Sequence, residues 1–217
     1  MKTLIFSDTH LTHAFDPAQY DFLKKIISES DRVIINGDFW DGYLTTFDAF
    51  TSSPWKKLFP LLRRKQTIYV YGNHDRKRYA DERVGLFSVK QTNRVVLKTP
   101  RFTYLVEHGN KASPGADAQF RLSRRLLRPL TAIGHKIESF ITRNHLSPLH
   151  FWGSMLNIII KSRKRSADTF YVCGHTHFAE LDTPRRFGNT GFVLYGLGQY
   201  LLLDGKGRLT LHTEWYR

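Results

Sequence analysis

The sequence predicts an α/β fold in which two mixed sheets pack face to face with helices outside. Three observations lead there. Over the first 75 residues, short apolar runs alternate with amphipathic stretches, the pattern of buried parallel strands joined by helices. From about residue 85, and again after residue 168, strand-like runs follow one another with no helix between them, which calls for a second, more antiparallel sheet. Between those regions, residues 112–166 carry an apolar spacing of three and four that is foreign to the rest.

The elements follow in order. "KTLIFSD" is a buried strand ending at Asp8. Asp16 and Pro17 supply an N-cap and a first-turn proline for a helix through "AQYDFLKKIISE". "RVIINGD" is the next strand, ending at Asp38. Ser53-Pro54 starts a further helix, "WKKLFPLLRR", bent or interrupted at Pro60. "TIYVYGNHD" gives a third strand, ending at Asn73. "LFSVK", "RVVLKT" and "FTYLVEHG" read as one set of consecutive strands. "TFYVCG", "FVLYGLGQYLLLD" and "RLTLHTEW" read as another, with a turn at Asp204-Gly205. The two sets are expected to form the second layer together. In the middle, Leu126, Leu130, Ile133, Ile137 and Phe140 mark an amphipathic helix, with Pro129 at a kink or a helix boundary. Ser147-Pro148 opens another helix, "LHFWGSMLNIIIKSRKR". A length of 217 residues fits one domain, 1–217, with 112–166 as a basic helical insertion within it.

Composition narrows the class. Hydrophobic content of 41% with 14% aromatics excludes a disordered chain, and one cysteine excludes a disulfide framework or a Cys-rich zinc module. The net charge of +14 draws polyanions to the surface: nucleic acid, anionic lipid headgroups or phosphorylated small molecules. From Lys111 to Arg165 there are eleven Lys or Arg against two acids, Asp117 and Glu138. The N-terminal apolar run stops at Ser7-Asp8, too short for a signal peptide, and no stretch approaches the ~18 apolar residues of a membrane span. The expected location is the cytoplasm, with peripheral membrane contact left open.

Chemistry gathers where the strands end. In order these ends carry Asp8-Thr9-His10, Gly37-Asp38 with Asp41, Gly72-Asn73-His74-Asp75, Glu107-His108-Gly109 and Gly174-His175-Thr176-His177. Ligands of α/β folds collect at the carboxyl ends of strands. Carboxylate, amide carbonyl and imidazole are donors suited to Mn, Fe, Zn, Co or Ni. Taken singly, each motif is as well explained by a turn or an exposed face; all five in this order are not.

The series D-x-H, GDxxD, GNHD, an isolated HG and GHxH resembles the calcineurin-like metallophosphoesterase superfamily, over residues 2–110 and about 168–212. The resemblance implies a four-layer αββα sandwich with two divalent metal ions at the strand ends, Mn first and Fe, Zn, Co or Ni as alternatives. It assigns Asp8, His10 and His177 to one ion, and Asn73, His108 and His175 to the other, with Asp38 bridging. His74 would protonate the leaving oxygen and Asp75 would orient it. Asp41 would support a ligand or cap a turn. The implied reaction is in-line attack by a metal-bridging hydroxide on an anionic phosphoester substrate, at a phosphodiester or pyrophosphate bond.

The insertion leaves the chain just after His108 and returns just before His175, so two readings stand: a lid over the cleft, or helices packed on the core with a solvated basic face. This layout is similar to the branch of UDP-2,3-diacylglucosamine pyrophosphatases, whose insertion meets membranes. The chain departs from that branch in carrying GNHD for GNRD, Asn110 for Asp, and "GDFWDG" for a longer GDxFExWxGDD pattern. Two other readings remain: a nuclease gripping DNA or RNA through the +14 charge, and a non-catalytic scaffold such as a retromer subunit. Retention of all seven ligand positions and His74 speaks against the scaffold. Cys173 reads as core; His13, His135, His145, His150 and His212 read as surface or ordinary core; Asn189-Thr190-Gly191 reads as a structural turn.

Overall fold

The computed structural model describes residues 1–112, 124–144, 148–162 and 168–217. The readings of Ser147 as an N-cap and of His145, the side chain of His150, and the basic residues 163–165 lie outside the described residues. Two mixed sheets face one another with helices outside, as expected. The first contains β1 (Thr3–Phe6), β2 (Arg32–Asn36), β3 (Ile68–Val70) and β4 (Lys90–Thr92), all parallel, extended by antiparallel β11 (Leu197–Leu203), which β10 (Val193–Leu194) and β12 (Leu209–Trp215) flank. The second has the order β5 (Val95–Lys98), β6 (Thr103–Val106), β7 (Thr169–Cys173), β9 (Phe187–Asn189), β8 (Glu180–Asp182).

Side-chain alternation explains the layering. Ile5, Ile34 and Ile68 lie in register across β1–β3 and face the second sheet, where they meet Val95, Tyr104, Val106, Phe170 and Val172. The residues between them, Phe6, Ile35 and Tyr69, point the other way, into a helix-covered core. That core is closed by α1 (Pro17–Ser28), whose Phe22, Leu23, Ile26 and Ile27 recur at helical spacing. Asp16 caps α1 by accepting from the Ala18 and Gln19 amides, with Pro17 in the first turn, as the sequence signals. α2 (Phe47–Ser52) is an extra short helix capped by Thr46. The bend expected at Pro60 appears as a 3-10 turn, Pro54–Leu58, running into α3 (Phe59–Arg64).

Three expectations change. "LFSVK" is not a strand: Phe87 is fully buried against Phe39, Phe50 and Phe59, the Ser88 hydroxyl donates to the Val84 carbonyl, and β4 begins only at Lys90. β10–β12 join the first sheet rather than the second. β1 is buried on both faces and β2 occupies one edge only, so β11 satisfies the backbone groups of the other, pairing Thr3 with Leu203. Finally, α4 (Arg124–Arg143) runs unbroken through Pro129. Pro129 is exposed, so the carbonyl freed by its missing N–H can be met by water. α5 (Pro148–Ser162) follows, and its Ile160 packs with Tyr171, Cys173 and Phe187 on the outer face of the second sheet. Cys173 is therefore core, as read.

Candidate metal centre

The register that builds the sheets also builds the site. Phe6, Ile35 and Tyr69 are aligned, so the loops after β1, β2 and β3 emerge side by side; Val106 pairs with Val172, so those after β6 and β7 do too. Asp8, His10, Asp38, His175 and His177 all adopt left-handed backbone, with φ between 43° and 69°. Non-glycine residues rarely take that conformation, and it concentrates where a site dictates geometry. Two glycines make room. A Cβ at Gly37 would lie 2.4 Å from the His108 ring, and one at Gly72 2.1 Å from Asp38 Oδ1.

Among the described residues three clusters of donor atoms result: Asp8 with His10 and His177, Asp38 with His108 and His175, and, behind the first, His10 with Asp41 and His74. His108 Nε2 is 3.2 Å from Asp38 Oδ2 and 3.1 Å from Asn73 Oδ1. His177 Nε2 is 3.3 Å from both Asp8 Oδ1 and His10 Nε2. Asp38 Oδ2 stands between the clusters, 3.9 Å from His10 Nε2. The structure thus brings all seven expected ligand residues to one cleft.

The tautomers are set from behind. Nδ1 of His108 bonds the Asn36 carbonyl (2.9 Å), Nδ1 of His10 bonds Asp41 (3.1 Å), and Nδ1 of His177 bonds Glu138 (2.5 Å). Each Nε2 is then left pointing into a cluster of other acceptors, where its lone pair is available once its proton is displaced. Asp8 Oδ1 is buried there with no hydrogen-bond partner in good geometry among the described residues. Converging lone pairs around an orphaned buried carboxylate oxygen fit a cation, and imidazoles held through Nδ1 are the usual metal-ligand arrangement.

The electrostatics agree. Burial disfavours every charge here, yet the Asp38 and Asp8 carboxylates raise the His108 pKa to about 10, and Asp41 and Asp38 raise that of His74 to about 9. Burial pushes Asp8 upward, but the His108 and His177 charges hold it at about 2. Carboxylates and imidazoles this close stay charged by sharing protons, the role a cation takes over.

A family model of the calcineurin-like phosphoesterases matches residues 1–179. The chain belongs to that family. Among solved structures, this phosphoesterase is similar to Yfce, a phosphoesterase from E. coli (16% identity, 100% of each chain covered, TM-score 0.49). It is also similar to wild-type Vps29 complexed with zinc from Entamoeba histolytica (15% identity, 100% of each chain, TM-score 0.46). A third is the nuclease MPE from Pseudomonas putida (21% identity, 49% of this chain and 53% of that one, TM-score 0.35). Likeness at this level carries no information on activity. No curated protein matches.

Within the phosphoesterase site, two residues stand differently from the sequence reading. Asp75 does not orient His74: its carboxylate accepts from the Phe39 and Gly72 amides (2.7 and 2.6 Å), tying the β2 and β3 loops together. Asp41 holds His74 instead, at 3.0 Å from Nδ1. His135 is not an ordinary histidine either. Its Nε2 lies 3.2 Å from Asp41 Oδ2, and its Nδ1 contacts the Tyr195 hydroxyl. Glu138 entered the sequence reading only as one of two acids in a basic insertion, and Tyr195 not at all. His135 and Glu138 stand three apart on one face of α4, a spacing that could have exposed them. His13 and His212 are the surface and packing histidines expected, His212 stacking on Tyr200. Asn189 does more than turn the chain: its amide nitrogen donates to the Gly174 carbonyl and the Thr176 hydroxyl, propping the His175–His177 loop.

Proposed function

We propose that this phosphoesterase is dinuclear and hydrolyses a phosphodiester or pyrophosphate bond. The position of Asp38, shared between two imidazole–carboxylate clusters, carries the reading. Asp8, His10 and His177 would hold one ion, and Asn73, His108 and His175 the other; their N/O donor set suits Mn first, with Fe, Zn, Co or Ni as alternatives. Two bound cations would supply positive charge for the phosphoryl oxygens and an acidified water as nucleophile. His74, fixed through Nδ1 by Asp41, presents Nε2 to the cleft and protonates the leaving oxygen.

For the substrate, the cleft argues for an amphipathic anion. It has a volume of about 340 Å³, and Leu127, Thr131 and Gly134 of α4 line it together with His74 and His175. The apolar stripe of α4 points outward: Leu126, Leu130, Ile133, Ile137 and Phe140 are each more than half exposed. A lid that is apolar outside, on a chain of net charge +14, suits a nucleotide-linked lipid such as UDP-2,3-diacylglucosamine taken from an anionic membrane surface. Among the described residues, no helix is long and apolar enough to cross a membrane.

The test is hydrolysis by Mn-loaded protein of a panel: a chromogenic bis-phosphodiester, nucleotide pyrophosphates, UDP-lipid, cyclic nucleotides and single-stranded DNA. Turnover should fall by ~10²–10⁴-fold in His74→Ala and be lost in Asp38→Asn. Inactivity across the panel would sink the reading. Activity confined to DNA would favour the nuclease alternative.

A further inference from the structure

α4 is inside out for a helix that covers a cleft. Its apolar stripe faces solvent, while its inward face carries His135 and Glu138. Both reach groups that set the metal centre. Glu138 Oε1 takes Nδ1 of His177 at 2.5 Å, and its other oxygen accepts from the Tyr195 hydroxyl at 3.2 Å. His135 bonds that same hydroxyl and Asp41, the carboxylate behind His10 and His74. Tyr195 sits with φ +59° in the turn between β10 and β11, a strained backbone that holds its side chain under α4. Glu138 is largely buried, its side chain 13% exposed, in a helix otherwise rich in basic residues.

A neutral imidazole carries one proton. A carboxylate at Nδ1 keeps that proton there, so Nε2 remains a lone-pair donor and the ring cannot rotate away. Of the three side chains in the Asp8 cluster, His10 draws this support from Asp41 in the sheet loops and His177 draws it from the insertion. In the second cluster, His108 is fixed by the Asn36 carbonyl and Asn73, both from the first sheet's strand ends.

We infer that Glu138, through its contact with His177, is a positioning residue that makes the Asp8–His10–His177 ion site depend on docking of α4. This rests on the dinuclear reading above. The insertion is then part of the metal centre as well as its cover, and loss of the Glu138 contact weakens the ion at His177.

The experiment titrates Mn²⁺ and Co²⁺ into chelator-stripped full-length protein by calorimetry and by the visible spectrum of bound Co²⁺. Wild type should take two ions. Glu138→Ala should take the first at wild-type affinity and the second ~10–100-fold more weakly, with a changed Co²⁺ spectrum for that ion alone. Glu138→Gln, whose amide oxygen can still accept from Nδ1, should recover most of the affinity. Lys136→Ala, exposed on the same helix, should behave as wild type. Two ions bound by Glu138→Ala at wild-type affinity would overturn the inference, as would equal weakening of both. Wild type that takes fewer than two ions would instead overturn the dinuclear reading.

Discussion

At the scale of single residues, Asp41 organises more than any ligand does. Its Oδ2 faces His10, His74 and His135 at 3.0 to 3.2 Å, while Oδ1 accepts from the Tyr43 and Leu44 amides. Asp41→Asn would turn an NH₂ group or a weaker acceptor toward three imidazoles. We expect a ~10–100-fold loss of kcat and a stability loss of about 1–3 kcal/mol, read by steady-state kinetics and urea melts; wild-type kcat would contradict the role. A second consequence concerns protons. In the metal-free site His108 is held at about 10, so at pH 7.5 it carries a proton that a cation must displace. Apparent affinity should therefore rise with pH up to that value, by up to one decade per unit for each proton released. Calorimetry in two buffers of different ionisation enthalpy reads the release directly; identical heats would count against it. The ligand positions were legible because each ends an apolar strand and carries a donor. His74's partner was not. Chain adjacency pointed to Asp75, but neighbours in a turn project in different directions, and only the fold shows that Asp41 arrives from another loop.

Among the elements, α5 and α4 illustrate what periodicity shows and hides. The run "LNIII" reads as apolar packing, yet Asn157 within it is fully buried and accepts from Thr176 and Asn189 while donating to the Phe178 carbonyl and Glu180. It ties α5 to the loop that carries His175 and His177. Asn157→Leu removes four hydrogen bonds at once and should cost about 2–4 kcal/mol, with metal affinity falling alongside. A stable variant that binds metal normally would show the contact to be dispensable. For α4, the 3–4 spacing identified a helix and its stripe but not which face turns inward, because burial depends on partners from other parts of the chain. The placement of β10–β12 was hidden for the same reason: strand pattern does not name the neighbouring strand. Since the α4 stripe touches solvent, replacing Ile133, Ile137 and Phe140 together by Ser should change stability little, within about 0.5 kcal/mol per site. Hydrolysis of a small soluble diester should persist, while sedimentation with anionic vesicles should drop. Undiminished vesicle binding would remove the membrane contact from the proposal.

For the whole molecule, the decisive feature is that the clusters straddle two sheets. Asp8, Asp38 and Asn73 come from the first, His108, His175 and His177 from the second, and β1's loop is joined to β7's by the His175 amide donating to Asp8. The sheets also meet through an apolar interface that includes Ile5, Ile34, Val106 and Val172, and through the Asn36 side-chain amide donating to the Glu107 carbonyl. On the dinuclear proposal, ions bound across that edge would act as a clamp on both halves of the sandwich, and their binding energy would add to folding because an unfolded chain cannot assemble the donors. At a free Mn²⁺ concentration of 100 times the dissociation constant, each site should contribute about 2.7 kcal/mol. The melting transition should rise as a single cooperative step, fall back on chelation, and rise much less in Asp38→Asn, which removes the charge shared between the sites. If instead added Mn²⁺ raised only part of the unfolding signal and split the transition, the two sheets would be melting separately and the centre would not be bridging them.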